Sequence, residues 1–211
     1  QFPDKGYQGE YVKILAKKIK EKNKDLFLLS ADGKVRLDNI LCNEMKEEKD
    51  LDSIVEIAKD ELKSGFEKIK VFSLNSILKT IKKDLRSFGV EHNLWFKESS
   101  MFNSSNKQIS QIDEAINALK KNDFLYEKDA ALWFRSTHFK DEKDRVVRRE
   151  NGEMTYFASD IAYHSNKFKR SYTKIINVWG ADHHGYFPRV RAAISALNED
   201  ATKFDIIFIQ F

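Results

Sequence analysis

An α/β fold with parallel strands is what this sequence predicts, and three features near its C-terminal end predict it. Lys174 to Trp179 is an apolar, β-branched run suited to a buried parallel strand, and Phe204 to Ile209 is a second. Between them a helical pattern opens at Pro188, with Val190, Ala193, Ile194 and Leu197 on its inner face. Strand, loop, helix and strand in that order make a right-handed βαβ crossover. Ligands bind such sheets at the carboxyl ends of strands, which puts the Gly180–Tyr186 loop at the expected site.

The first half reads as helices. Tyr7, Tyr11, Ile14, Leu15 and Ile19 recur at helical spacing, and Ser30-Ala31-Asp32-Gly33 punctuates the chain beyond them. Leu51, Ile54, Val55, Ala58 and Leu62 share one face of a second helix. Leu74, Ile77, Leu78, Ile81, Leu85 and Phe88 mark a third, with Gly89 where a helix C-terminal glycine belongs. Val90 to Phe96 reads as a short strand. Lys107 to Lys121 reads as a fourth helix, with Ile109, Ile112, Ile116 and Leu119 inward.

Near residue 124 the character changes. Phe124-Leu125-Tyr126 and Ala131-Leu132-Trp133-Phe134 are strand-like, and Arg145–Arg148 and Met154–Phe157 flank Asn151-Gly152, a strong hairpin signal. The chain thus divides into a largely helical part, 1–98, an α+β insertion with a β-hairpin, 99–155, and a part carrying the site, 156–211.

Composition bounds the function. With 41% hydrophobic and 33% charged residues, the 211-residue chain can bury a core in water. No apolar run approaches the ~20 residues that span a bilayer, so no membrane role is expected. The start at Gln1 rather than Met points to a piece of a longer protein, and it shows no signal pattern. The single cysteine, Cys42, excludes an internal disulfide and a multi-cysteine zinc site, which makes a reducing cytoplasmic setting the expectation. A net charge of +4 is compatible with a nucleic-acid partner without demanding one. Lys13, Lys17, Lys18, Lys20, Lys22 and Lys24 read by themselves as a solvated helix face.

Three clusters carry chemistry. In Thr155 to His164, Tyr156 is expected to end a strand and Asp160 to begin a helix. Asp160 is then either a helix N-cap beside a core tyrosine, or a carboxylate that shares a pocket with a phenol and suits a cationic ligand. In the Gly180–Tyr186 loop, Gly180 lets another group approach the backbone, and Asp182 can accept hydrogen bonds from a ribose diol. Asp182, His183 and His184 could instead ligate a metal in a phosphoesterase. Such a site needs further ligands, and of the spare histidines His92, His138 and His164 only His164 lies near. The third cluster, Lys140 to Arg145, alternates in sign and reads as a solvated hairpin surface without a catalytic role.

Together these segments resemble the bacterial arginyl-tRNA synthetases, a class I family, along the whole chain. Gly6-Tyr7-Gln8-Gly9-Glu10-Tyr11, Asp84-Leu85 through Gly89-Val90, Trp95 and Glu98-Ser99-Ser100 carry the looser part. Ala131-Leu132-Trp133, Asp144-Arg145-Val146-Val147, Thr155-Tyr156, Asp160-Ile161-Ala162-Tyr163-His164 and Trp179-Gly180-Ala181-Asp182-His183-His184-Gly185-Tyr186 are far more specific.

The resemblance implies part of a Rossmann-like parallel-sheet catalytic domain that activates L-arginine with ATP, as its Mg complex, and esterifies it to tRNA(Arg). It implies a monomer when full length. Tyr156, Asp160 and His183 match the arginine pocket, and Gly180 and Asp182 match the strand end that meets the adenosine. A guanidinium is a planar fork of donors that a carboxylate such as Asp160 can accept in parallel. The family's His-x-Gly-His and Lys-Met-Ser-Lys motifs for the triphosphate do not occur here, so no residue is assigned to catalysis itself. The chain alone is expected to be nearly inactive. A third reading is a non-catalytic synthetase-like module that binds RNA.

Overall fold

The computed structural model describes residues 9–22, 28–42, 48–102 and 109–210. Tyr7, Lys24 and Lys107, and the Gly6–Gln8 part of the first resembling segment, lie outside them. The chain forms two compact units, residues 1–93 and 94–211.

The first unit is helical among its described residues: α1 (Glu10–Lys22), α2 (Ala31–Cys42), α3 (Glu48–Leu62) and α4 (Ser64–Ser87). The lysines Lys13, Lys17, Lys18, Lys20 and Lys22 of α1 are exposed, while Ile19 is buried. The segment Ser30–Gly33, expected to punctuate the chain, instead starts α2. The Ser30 hydroxyl accepts from the Gly33 N–H at 2.9 Å, a cap that satisfies one orphan donor. The Ser30 N–H donates to Glu61 Oε2 at 2.9 Å and so ties that start to α3. In α3 the deepest residue is Ile57, and Val55 faces water. At the end of α4 Gly89 takes φ +76°, where a side chain would be strained. Its N–H donates to Arg86 O and that of Val90 to Leu85 O, each at 2.9 Å, which closes the last turn as a Schellman motif.

The second unit opens without the strand expected at Val90–Phe96: those residues carry no ladder. A 3-10 turn, Glu98–Met101, precedes α5 (Gln111–Lys121). Then β1 (Leu125–Lys128), β2 (Ala131–Phe134) and β3 (Arg145–Arg148) pair antiparallel in that order. The hairpin after β3 is shorter than expected. Met154 bridges Arg148, Thr155 N–H donates to Val147 O, and Tyr156 already begins α6 (Tyr156–Lys169).

Next come β4 (Ile175–Gly180), a 3-10 turn at Ala181–Tyr186, α7 (Phe187–Ala196) and β5 (Phe204–Ile209). The expected Gly180–Tyr186 loop is therefore a helical turn. β4 and β5 pair in parallel, from Ile175 opposite Phe204 to Gly180 opposite Ile209. Only one face of this pair is buried, against Val190 and Ile194 of α7. The two-sided burial expected of these strands is absent among the described residues: Ile176, Val178 and Ile207 are exposed.

A single core runs across residues 155 and 156. Met101, Leu119, Phe134 and Val147 pack with Phe157 and Ile161 of α6 and Ala193 of α7. The antiparallel sheet therefore holds the inner face of α6 and leaves its other face for the site.

Candidate functional site

The start of α6 is fixed by Thr155. Its hydroxyl donates to Val146 O at 2.9 Å and accepts from the Ala158 N–H at 3.4 Å, so β3 and the helix share one capping side chain. Asp160 is not the cap. It lies in the helix, one turn beyond Tyr156 on the same face, because residues four apart are neighbours on a helix surface. Phe157, Ala158, Ile161 and Ala162 turn into the core. Tyr156 is 84% exposed, which rules out a core role for it.

Tyr156, Ser159, Asp160 and Tyr163 line a cavity of about 410 Å³ with Phe96, Glu98 and Met101. Phe96 and Tyr163 stack in its wall with ring centroids 4.8 Å apart. A second cavity of about 480 Å³ shares Glu98, Tyr156 and Ser159 and extends toward Arg149 and Glu153. The structure thus brings Tyr156 and Asp160 to one cavity.

The Asp160 carboxylate accepts a hydrogen bond from the Tyr186 hydroxyl. Burial pushes its pKa above the ordinary carboxylate value and Glu98 adds to that, while the Tyr186 hydrogen bond, Lys167 and His183 pull the other way. Burial and the Asp160 carboxylate likewise push the Tyr186 phenol up, so it stays a neutral donor.

Beneath Asp160 lies a polar chain the sequence did not announce. Its backbone carbonyl is 2.7 Å from His164 Nδ1, His164 Nε2 is 3.0 Å from Asn177 Nδ2, and Asn177 Oδ1 accepts from Lys167 Nζ at 2.6 Å. With Asn177 Nδ2 a donor, His164 is a neutral imidazole carrying its proton on Nδ1. Burial, then the Lys167 charge, lowers its pKa to about 4, which agrees with that form. Lys167 also sits 4.4 Å from the Tyr163 ring centroid, and burial lowers its own pKa to about 8. The chain joins α6 to the middle of β4.

Gly180, Asp182 and His183 lie apart from that cavity wall, at the end of β4 and in the turn after it. A Cβ on Gly180 would come within 2.5 Å of Asp182 Oδ1, so the glycine makes room for that carboxylate. Asp182 and His183 are exposed and 3.6 Å apart, and His183 leans on Trp179 at 6.0 Å between ring centroids. His184 stacks instead on Phe208 of β5, at 3.7 Å. Among the described residues no three His, Cys, Asp or Glu side chains gather as a metal site would need.

The Lys140–Arg145 cluster differs from the expected solvated surface. Asp141 accepts two hydrogen bonds from Arg145, at 2.7 and 2.8 Å, with side-chain exposures of 2% and 13%. Glu98, Tyr186, Lys167 and Asn177 were missed by sequence reasoning. Glu98-Ser99-Ser100 and Tyr186 stand in segments that carry the resemblance, but nothing local to them shows that they meet Asp160.

Parallel strands joined through a helix, with a glycine and a carboxylate at the first strand end and an antiparallel sheet in the same unit, make a mixed α/β arrangement consistent with a fragment of a class I aminoacyl-tRNA synthetase. No family model matches the chain. Known proteins do. It is 44% identical to an arginine–tRNA ligase of Psychrobacter arcticus and 43% identical to one of Nitrosospira multiformis, in each case over 100% of this chain and 35% of the relative. A solved Campylobacter jejuni chain described as an arginyl-tRNA synthetase superposes with a TM-score of 0.69 at 32% identity, covering 100% of this chain and 38% of that one. The chain is thus similar to arginine–tRNA ligases along its whole length, and it spans about a third of the length of the curated relatives it matches.

Proposed function

We propose that this chain is the part of an arginine–tRNA ligase that holds the amino acid and one side of the nucleotide. The whole enzyme activates L-arginine with ATP, taken as its Mg complex, and transfers the arginyl group to the 3′ end of tRNA(Arg). It works as a cytoplasmic monomer. Residues 1–98 and 156–211 serve as two parts of a Rossmann-like domain, with 99–155 as an insertion.

The observation that carries this reading is Asp160, a half-buried carboxylate on the wall of an aromatic cavity. The carboxylate pairs with the substrate guanidinium and Tyr156 closes the cavity, while His183, in the turn after β4 and apart from the cavity wall, is assigned to the same substrate by the family resemblance. Gly180 and Asp182 receive the adenosine, with Asp182 on the ribose diol. These residues bind and orient; adenylation gains its rate chiefly from such positioning and from charge stabilisation at the phosphate. The phosphoesterase reading on Asp182-His183-His184 lacks further ligands among the described residues, and the identity to arginine–tRNA ligases favours an enzyme over a non-catalytic RNA-binding module.

Amino-acid-dependent pyrophosphate exchange by the full-length protein tests the function. Arginine should support exchange in the presence of tRNA(Arg), while lysine and citrulline should not. Exchange driven equally well by another amino acid would overturn the assignment.

A further inference from the structure

Asn177 is an unexpected residue for the middle of β4. Its neighbours Ile175, Ile176 and Val178 are apolar, yet this amide shares the buried face with Ile175 and is only 6% exposed. A valine there would bury apolar surface without the cost of desolvating a polar group. The asparagine instead bonds twice to one helix. Its Oδ1 accepts from Lys167 Nζ at 2.6 Å, and its Nδ2 donates to His164 Nε2 at 3.0 Å. Both partners lie on α6, and His164 Nδ1 returns to the Asp160 carbonyl at 2.7 Å. The His164 ring also stands edge-on to Phe204 of β5, with centroids 5.3 Å apart.

The two elements joined here carry different halves of the proposed site. Tyr156, Asp160, Tyr163 and Lys167 recur at three- and four-residue spacing and so form one stripe along α6. The first three line the arginine cavity, and the fourth is held between the Tyr163 ring and Asn177. β4 ends at Gly180, with Asp182 in the turn after it. Apolar contact is non-directional and tolerates sliding, whereas a buried polar network whose members satisfy one another fixes a single arrangement.

We propose that Asn177 and Lys167 are positioning residues that lock α6 to β4 in one register, and so hold arginine bound on the helix in line with the nucleotide bound at the strand end. The inference rests on the arginine and adenosine assignments made above. Neither residue touches a substrate. Losing the bridge leaves each binding half intact and misaligns the two, and a misplacement of ~1 Å can cost about a hundredfold in rate. Such a loss appears in kcat and not in KM.

The test compares full-length wild type with Lys167→Met and with the double variant Lys167→Met/Asn177→Val in arginine-dependent pyrophosphate exchange. The double variant replaces the bridge by an apolar pair, so no buried ammonium or amide is left unpaired and the fold should persist. Because Lys167 also favours the ionised form of Asp160, rates are read well above the carboxylate range. In both variants kcat should fall about ten- to a hundredfold, while the KM values for arginine and ATP and the melting temperature change little. Lys167→Arg, which keeps a cation beside Tyr163 and a donor to Asn177, should recover most of kcat. Wild-type turnover in the double variant would overturn the proposal. A lower melting temperature, with both KM values rising as kcat falls, would make the bridge structural and overturn it as well. Wild-type enzyme without arginine-dependent exchange would instead sink the arginine reading, and the positioning role with it.

Discussion

Asp141 and Asp160 both leave bulk water on folding, and their surroundings drive them in opposite directions. Burial pushes the Asp141 carboxyl up, but Arg145, Ser136 and the Glu142 N–H together hold it below its ordinary value. At Asp160 burial wins. A carboxylate depressed by folding adds stability that is present above its unfolded pKa and lost as pH falls through the folded one. Breaking a buried ion pair from one side costs about 3–5 kcal/mol. Asp141→Asn should therefore lose stability of that order at pH 7, and the gap from wild type should narrow as pH drops below the ordinary carboxylate range. Urea denaturation of the full-length protein at several pH values checks this; equal stability at pH 7 would show the pair to be dispensable. The alternating signs of Lys140–Arg145 did not reveal it, because sign alternation does not say which charges the fold covers.

At the scale of elements, the legible features were those set by local chemistry. Pro188 near the start of α7, the β-branched runs of β4 and β5, Gly89 beyond α4 and the turn at Asn151-Gly152 each impose a conformation on their own neighbours. Expectation and structure part where a local preference meets a longer-range one. Val90–Phe96 has strand-like residues but no partner strand among the described residues. Tyr156 looks like the end of a strand, yet Thr155 caps a helix in front of it and turns the chain. The cap can be probed directly, since α6 carries Tyr156 and Asp160. Thr155→Ala removes both the helix cap and the hydrogen bond to Val146 O, and a lost cap costs about 1 kcal/mol. Its melting temperature should fall modestly and the KM for arginine should rise with it. An unchanged KM would mean that packing of Phe157 and Ile161 alone sets the helix.

For the molecule as a whole, the candidate site was half visible. Tyr156 and Asp160 share a face of α6, whereas the sequence joins them across a strand-to-helix junction, with the family resemblance assigning both to one pocket. Lys167 follows Asp160 two turns along α6, but Glu98, Tyr186 and Asn177 come from other elements, and only the folded core of residues 94–211 collects them around Asp160. The central claim is that this carboxylate reads a guanidinium. Asparagine at 160 has nearly the same shape, so the fold should survive while the charge and one acceptor are lost. The deciding measurement is the steady-state kinetics of full-length Asp160→Asn for arginine and ATP, alongside its melting temperature. At a cost of about 3–5 kcal/mol for a broken buried pair, kcat/KM for arginine should fall roughly a hundredfold to a few thousandfold, with ATP dependence and melting temperature almost intact. Arginine kinetics that hardly change, or a protein that unfolds, would contradict the account and leave Asp160 a structural residue.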